Sequence, residues 1–297
     1  MAHAILHDTF EANGTRLHYA RCGQGRLPIL LLHGWPEFWF TWEPVMVRLA
    51  DRFDMIAPDL RGFGNSRKPD AGPSDRVGSE VHARDLLALL DHLDLGRVGI
   101  VGHDVGAVVA QAFARMQPER LTRLFFFDCP YPGIGSRWAA PGHLAEIWYQ
   151  SFHLKPWAAD LVGSSRKACR VYFGNMLRHW AAGNPAAFEG EVLEAWVDNF
   201  LKPGNLQGGF DWYLSRNAAR SAAMQREDPQ EPPIAIPTCI RWGALDPVLK
   251  VEWMDRLEEY FTDLDAAPLE SIGHFPRRED PDRASAEIAA WFGKVSA

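Results

Sequence analysis

Cysteine is scarce: Cys22, Cys129, Cys169 and Cys239 are the only four in 297 residues, with no C-x-x-C pair and no metal-type spacing. The pattern gives no grounds for a disulfide scaffold or a thiolate metal centre, and free thiols are predicted. No apolar run is long enough to span a bilayer, so no membrane partner is expected. Lysine and arginine form no block, and a net charge of −7 offers nucleic acid or an anionic membrane no electrostatic reason to bind. A charged n-region followed by an apolar core is also missing near residue 1, and a cytoplasmic location is predicted. What is present is ordinary for a globular chain, 47% apolar and 23% charged. The length suits one large α/β domain or such a domain carrying an insertion.

Short β-like runs alternate with amphipathic stretches from residue 16 to 106, the pattern of a mostly parallel sheet with helices on its faces. Strands are predicted over 27–32, 53–58, 97–101 and 121–127, each a compact apolar run suited to burial on both faces. Between them, 77–93 carries Val81, Leu86, Leu89, Leu90 and Leu93 at helical spacing. From 133 to 231 strand signals vanish. Helix-like stretches rich in Trp, Tyr and Phe are broken at Gly163, Gly174, Gly183-Asn184-Pro185 and Pro203-Gly204, which predicts an all-helical insertion. A polar, proline-rich stretch over 225–233 reads as the return linker, and strands resume at 238–243 and 267–272. The predicted organisation is a core over 1–132 and 232–297, with a helical segment over 133–231.

The residue that narrows the chemistry most is Asp104, in Gly102-His103-Asp104-Val105-Gly106 between a predicted strand and a predicted helix. A strand-to-helix turn with glycines on both sides of one reactive residue is the setting of a nucleophile elbow, usually spelled G-x-S-x-G. Here the nucleophile is a carboxylate. A serine attacking a saturated carbon is left as a stable ether, whereas a carboxylate gives an ester whose own carbonyl water can cleave. That points to an epoxide or an alkyl halide as substrate. A plainer role for Asp104 is to cap the helix after it.

Cleaving such an ester needs a base to activate water and an acid to orient that base. His274, in Gly273-His274-Phe275-Pro276 beyond the last predicted strand, is the candidate base. Asp246, after the preceding strand, completes the order nucleophile, acid, histidine. Asp128, at the end of the strand before the insertion, is the alternative acid. His33-Gly34-Trp35-Pro36 supplies a loop whose Trp35 N–H, together with the N–H of Val105, is a candidate oxyanion hole.

Four motifs, His33-Gly34-Trp35-Pro36, Gly62-Phe63-Gly64-Asn65-Ser66, Gly102-His103-Asp104-Val105-Gly106 and Gly273-His274-Phe275, make the chain resemble the α/β-hydrolase superfamily over nearly its whole length. Within it the chain looks like the aspartate-nucleophile branch of epoxide hydrolases and dehalogenases. The resemblance implies a helical cap whose two tyrosines hold the epoxide oxygen, and Tyr149 and Tyr213 stand in segments similar to those that carry them. A phenol stays protonated at neutral pH yet can yield its proton to a basic alkoxide. Haloalkane dehalogenases commonly put Trp directly after the nucleophile, and fluoroacetate dehalogenases put arginines one and four places after it. This chain has Val105 and Val108 there, and neither binds a halide or a carboxylate.

The expected protein is therefore an α/β-hydrolase core with a helical cap, converting a small-molecule epoxide and water to a vicinal diol. No metal or organic cofactor is implied, and a homodimer is left open as its assembly. Two aromatic-rich stretches, 35–42 and 138–157, suggest an apolar or aromatic pocket under the cap. The rivals are a haloalkane or haloacid dehalogenase of the same fold and, from another class, a non-catalytic ligand-binding protein on a hydrolase scaffold.

Overall fold

The computed structural model describes residues 3–25, 27–68, 78–223 and 231–294. It opens with a hairpin of β1 (Leu6–Ala12) and β2 (Thr15–Cys22), joined at Asn13-Gly14, where φ is 51° and 73°. Asn and Gly are the residues that tolerate this left-handed turn best. There follow β3 (Pro28–Leu32), α1 (Glu43–Leu49), β4 (Asp54–Pro58), α2 (Ser79–His92), β5 (Val98–His103), α3 (Val105–Met116) and β6 (Leu121–Phe127). Six helices come next: α4 (Pro141–Leu144), α5 (Trp148–His153), α6 (Ala158–Gly163), α7 (Arg166–Trp180), α8 (Gly190–Phe200) and α9 (Asn205–Ala223). The chain then resumes the sheet with β7 (Thr238–Gly243) and β8 (Leu264–Leu269) and ends in α10 (Pro276–Glu279) and α11 (Pro281–Phe292).

All eight strands form one sheet in the order β1-β2-β4-β3-β5-β6-β7-β8, antiparallel at β1/β2 and β2/β4 and parallel elsewhere. This is the mostly parallel, helix-flanked sheet that the alternating pattern predicts. Strand order reverses at β3, whose neighbours β4 and β5 follow it on opposite sides. Such a switch leaves a crevice beyond the carboxyl ends of the strands, the usual place for a ligand in an open α/β sheet. The loops after β3 and β5 carry Trp35 and Asp104.

Burial on both faces explains the near-continuous apolar strands. Leu30 and Leu32 point into the cluster under α2, α3 and the six inserted helices, while Ile29 and Leu31 point into the cluster that holds Trp42 and Phe292. A period of two divides one short run between two cores.

The elbow is held by close packing. Asp104 has φ 48° and ψ −114°, a strained conformation for a residue with a side chain. The turn fits because α3 starts against β3: a Cβ on Gly106 would lie 2.2 Å from the Leu32 carbonyl oxygen. Helix α9 is seated the same way, since a Cβ on Gly208 would lie 2.0 Å from the carbonyl oxygen of Gly62. The Gly62 loop is therefore one place where the inserted helices touch the core backbone to backbone.

Four details differ from the sequence reading. The last strand runs from Leu264 to Leu269, three residues earlier than expected. Its polar start is edge exposure, since β8 closes the sheet with one neighbour. Gly174 breaks nothing and lies inside α7, where its bare face lets Leu193 of α8 approach to 3.3 Å of a would-be Cβ. Trp42 packs on the opposite face of the sheet from the insertion, and Trp148 and Trp157 are exposed, so only part of the two aromatic stretches is available to a pocket. The expected return linker falls largely on 225–230, outside the described residues. Among the described residues no helix is long and apolar enough to cross a membrane.

Gly106→Ala is expected to cost roughly 3 kcal/mol, because a methyl group driven into a backbone carbonyl must displace a helix. Denaturant unfolding monitored by tryptophan fluorescence checks it, and Gly96→Ala, with nothing within 4 Å of its Cβ, is the control.

Candidate active site

Asp104 emerges from β5 with its carboxylate against the loop after β3. Oδ1 accepts a 3.0 Å hydrogen bond from the Trp35 N–H, and the Val105 N–H at the start of α3 also donates to the carboxylate. Burial raises the pKa of Asp104, opposed by the nearby His274 and by these two N–H groups. The two backbone donors expected to form an oxyanion hole thus both reach the Asp104 carboxylate.

His274 follows β8 and is fixed by its own backbone, whose N–H donates to the carbonyl of Trp180 at the end of α7 (2.8 Å). Its Nδ1 donates to Asp246 Oδ2 at 2.6 Å. Asp246 is held in turn by the N–H groups of Val248 (2.7 Å) and Leu249 (3.0 Å), both on Oδ1. Burial alone would lower the pKa of His274, but the charge and hydrogen bond of Asp246, with Asp104 adding to them, raise it above the ordinary value. Asp128 lies elsewhere in the network. Its Oδ1 accepts from the Gly243 N–H at 2.7 Å and its Oδ2 has no partner among the described residues. Burial and then the charge of Asp246 push its pKa well up.

Tyr149 in α5 and Tyr213 in α9 come down from the inserted helices and meet. Their rings cross edge to face at 5.6 Å and the phenols are hydrogen-bonded. Burial, then Tyr149 and Asp104, push the pKa of Tyr213 well above 10, keeping its proton in place. Asp104, Tyr149 and Tyr213 line one cavity of about 520 Å³, with Val105 and Val108 on its floor. Its size is that of a pocket for a small organic molecule.

Several contributors escaped the sequence reading. Trp35 was chosen for its N–H alone, yet its indole is the platform for both phenols, stacked on Tyr149 at 5.1 Å and edge-on to Tyr213 at 5.5 Å. Glu37, two residues further along the same loop, is buried and accepts from the Gly34 N–H (2.9 Å) and Thr41 Oγ1 (2.6 Å). It also pairs with Arg277 and with His103 Nδ1, at 2.9 Å from the latter. Burial, then Arg277, pull the pKa of His103 to about 3, so the ring is neutral. An acid directly after Trp35-Pro36 and a histidine directly before Asp104 were the signals available.

The alpha/beta hydrolase fold family matches residues 28–272. The chain belongs to that family, in its epoxide hydrolase branch: it is 32% identical over 291 residues to the soluble epoxide hydrolase of Corynebacterium sp. (strain C12), covering 95% of each protein. Among solved structures it is similar to the ligand-free epoxide hydrolase CorEH (TM-score 0.82, 28% identity, 99% of this chain and 100% of that one). It is also similar to Cfl2 of Burkholderia cenocepacia (TM-score 0.83, 29% identity, 96% and 95%).

Glu37→Gln is expected to destabilise the fold by about 3–5 kcal/mol, because it leaves the Arg277 guanidinium buried without its counter-charge. Chemical denaturation measures the loss, and Glu37→Gln with Arg277→Met should recover part of it.

Proposed function

We propose that this chain is an epoxide hydrolase, converting an epoxide and water to a vicinal diol through an ester on Asp104. One observation carries the reading: a buried carboxylate that accepts from two backbone N–H groups shares a single cavity with a pair of phenols. In the first step a carboxylate oxygen of Asp104 attacks a ring carbon and the carbon–oxygen bond breaks. The ring oxygen takes a proton from the Tyr149–Tyr213 pair. In the second step His274 removes a proton from water, which adds to the ester carbonyl. The N–H groups of Trp35 and Val105 hold the oxyanion until it collapses; the departing alkoxide takes the proton from His274, releasing the diol, and the carboxylic acid left on Asp104 returns a proton to the phenolate.

The electrostatics support this order. In the free enzyme Asp104 is one of the charges raising the pKa of His274. Esterification removes that charge, so the histidine becomes easier to deprotonate when it must act as base. Asp246, in contact with Nδ1, is the acid we assign to this pair. Asp128, which is engaged by the Gly243 N–H while Asp246 holds His274, is assigned no part in orienting the base. Halide release has less support, since Val105 and Val108 bring only apolar surface to the cavity floor. In this reading residues 133–231 serve as a cap on a core formed by 1–132 and 232–297. The four buried, unpaired thiols fit the cytoplasm as the working location.

Single-turnover reaction in heavy-oxygen water, followed by peptide mass analysis, should place the label in Asp104; label found solely in the diol overturns the ester. Tyr213→Phe is expected to slow epoxide opening about 100-fold, as loss of a proton donor does. Ester hydrolysis requires neutral His274, so the single-turnover decay should slow as pH drops through the pKa of this histidine in the ester, which lies below that of the free enzyme because the Asp104 charge is gone. In Asp246→Asn that acid limb should move to lower pH, read from a pH profile of the single-turnover decay.

A further inference from the structure

Among the described residues Arg216 is a cation without an ion-pair partner. It stands one turn beyond Tyr213 on α9 and lines the same cavity as Asp104 and the phenols. Its Nη1 donates to Ser79 Oγ at 2.7 Å, and its guanidinium carbon lies 5.1 Å over the Trp212 ring. Among the described residues no carboxylate comes within ion-pair distance of it; Glu80, on the same wall, acts on it at longer range. The other arginines of the cavity differ. Arg115 is paired with Glu231 at 2.8 Å, and Arg84 is exposed. A guanidinium enclosed by protein and short of an anion is costly, and a bound carboxylate is the partner its planar fork suits best.

The surroundings point the same way. Ser79 is the first residue of α2, and the residue before it, Gly78, brings no side-chain cap, so the positive end of a 14-residue helix faces the same spot. Val105, Val108, Ala112 and Met116 of α3, the helix that starts at Asp104, line the same cavity and give an apolar track leading away from that residue. A ligand fitting these features is apolar in the middle, reactive at one end and anionic at the other.

Resting on the epoxide hydrolase reading, we infer that the substrates are epoxides carrying a carboxylate, anchored by Arg216 and Ser79 while the ring lies between Asp104 and the phenols. Three residues along a helix is an axial step of roughly 4.5 Å, so the spacer between ring and carboxylate is short, a few carbon atoms. The valines beside the nucleophile do not conflict with this, because the anion sits at the far wall, away from the reacting carbon.

The test compares kcat/KM for a series of ω-epoxyalkanoates of increasing length with that for the matching primary amides. The acid should be preferred by about tenfold or more at one short spacer length, as a charge-assisted hydrogen bond would give. In Arg216→Gln the acid-to-amide ratio should fall to about one, and in Glu80→Gln it should rise. A wild-type ratio at or below one at every length, or a ratio that Arg216→Gln does not change, overturns the inference. A second measurement separates it from the function it rests on: calorimetric titration of Asp104→Asn protein with hexanoate and with hexanamide. Hexanoate should bind more tightly, and that advantage should vanish when Arg216→Gln is added. Hexanoate binding without turnover of any epoxide sinks the activity and keeps the anchor. Turnover of neutral epoxides with equal binding of hexanoate and hexanamide sinks the anchor and keeps the activity.

Discussion

Glu37 is a carboxylate with no access to solvent that joins three loops leaving the carboxyl edge of the sheet. It binds the backbone of Gly34 in the loop after β3, the ring of His103 at the end of β5, and the guanidinium of Arg277 in α10, three residues past His274. Those loops carry Trp35, Asp104 and His274. A buried charge is tolerable only when every lone pair finds a donor, and Gly34, Thr41, His103 and Arg277 together supply them. The geometry of the proposed site inherits that requirement, because none of the three loops can shift without breaking a bond to Glu37. Its pKa shows the outcome: burial pushes upward, but Arg277 and His103 outweigh it and hold the carboxyl well below its usual range.

The strained turn at Asp104 belongs to the same frame. A backbone at φ 48° persists only where the neighbours leave no other path, and here α3 is pressed against β3 through Gly106. The strain aims the carboxylate at the Trp35 N–H, which Glu37 has already fixed through Gly34. Rigidity below the cavity is matched by aromatic packing above it, where the Trp35 indole carries both phenols.

Much of this was readable in the residues themselves. The apolar runs at β3 to β7 are so compact that their period and length leave one interpretation, and Gly-x-Asp-x-Gly states its own constraint because no larger residue fits beside the carbonyls of β3. The exposed edge strand β8 was misplaced, since half-solvated positions such as Asp265 and Ala267 give no continuous apolar signal. Gly174 was misread for a different reason: close helix packing and helix termination leave the same letter in a sequence. Asp246 was preferred to Asp128 on loop position; what the sequence did not carry is which way each side chain turns, Asp246 towards His274 Nδ1 and Asp128 towards the Gly243 N–H. Arg216 was silent as well. Its meaning lies in what is absent around it, and a sequence does not list a residue's neighbours.

The contact between Gly62 and Gly208 has a consequence for how such a protein changes over time. Because α9 is seated on the core partly through main-chain atoms, one of the contacts that set its height above Asp104 is unaffected by changes in the side chains around it. The lining of the pocket is thereby partly uncoupled from the distance between phenol and nucleophile. Lineages can drift in what they admit to the vessel, trading Trp212 or Arg216 for other shapes and charges, while the reacting groups stay in register.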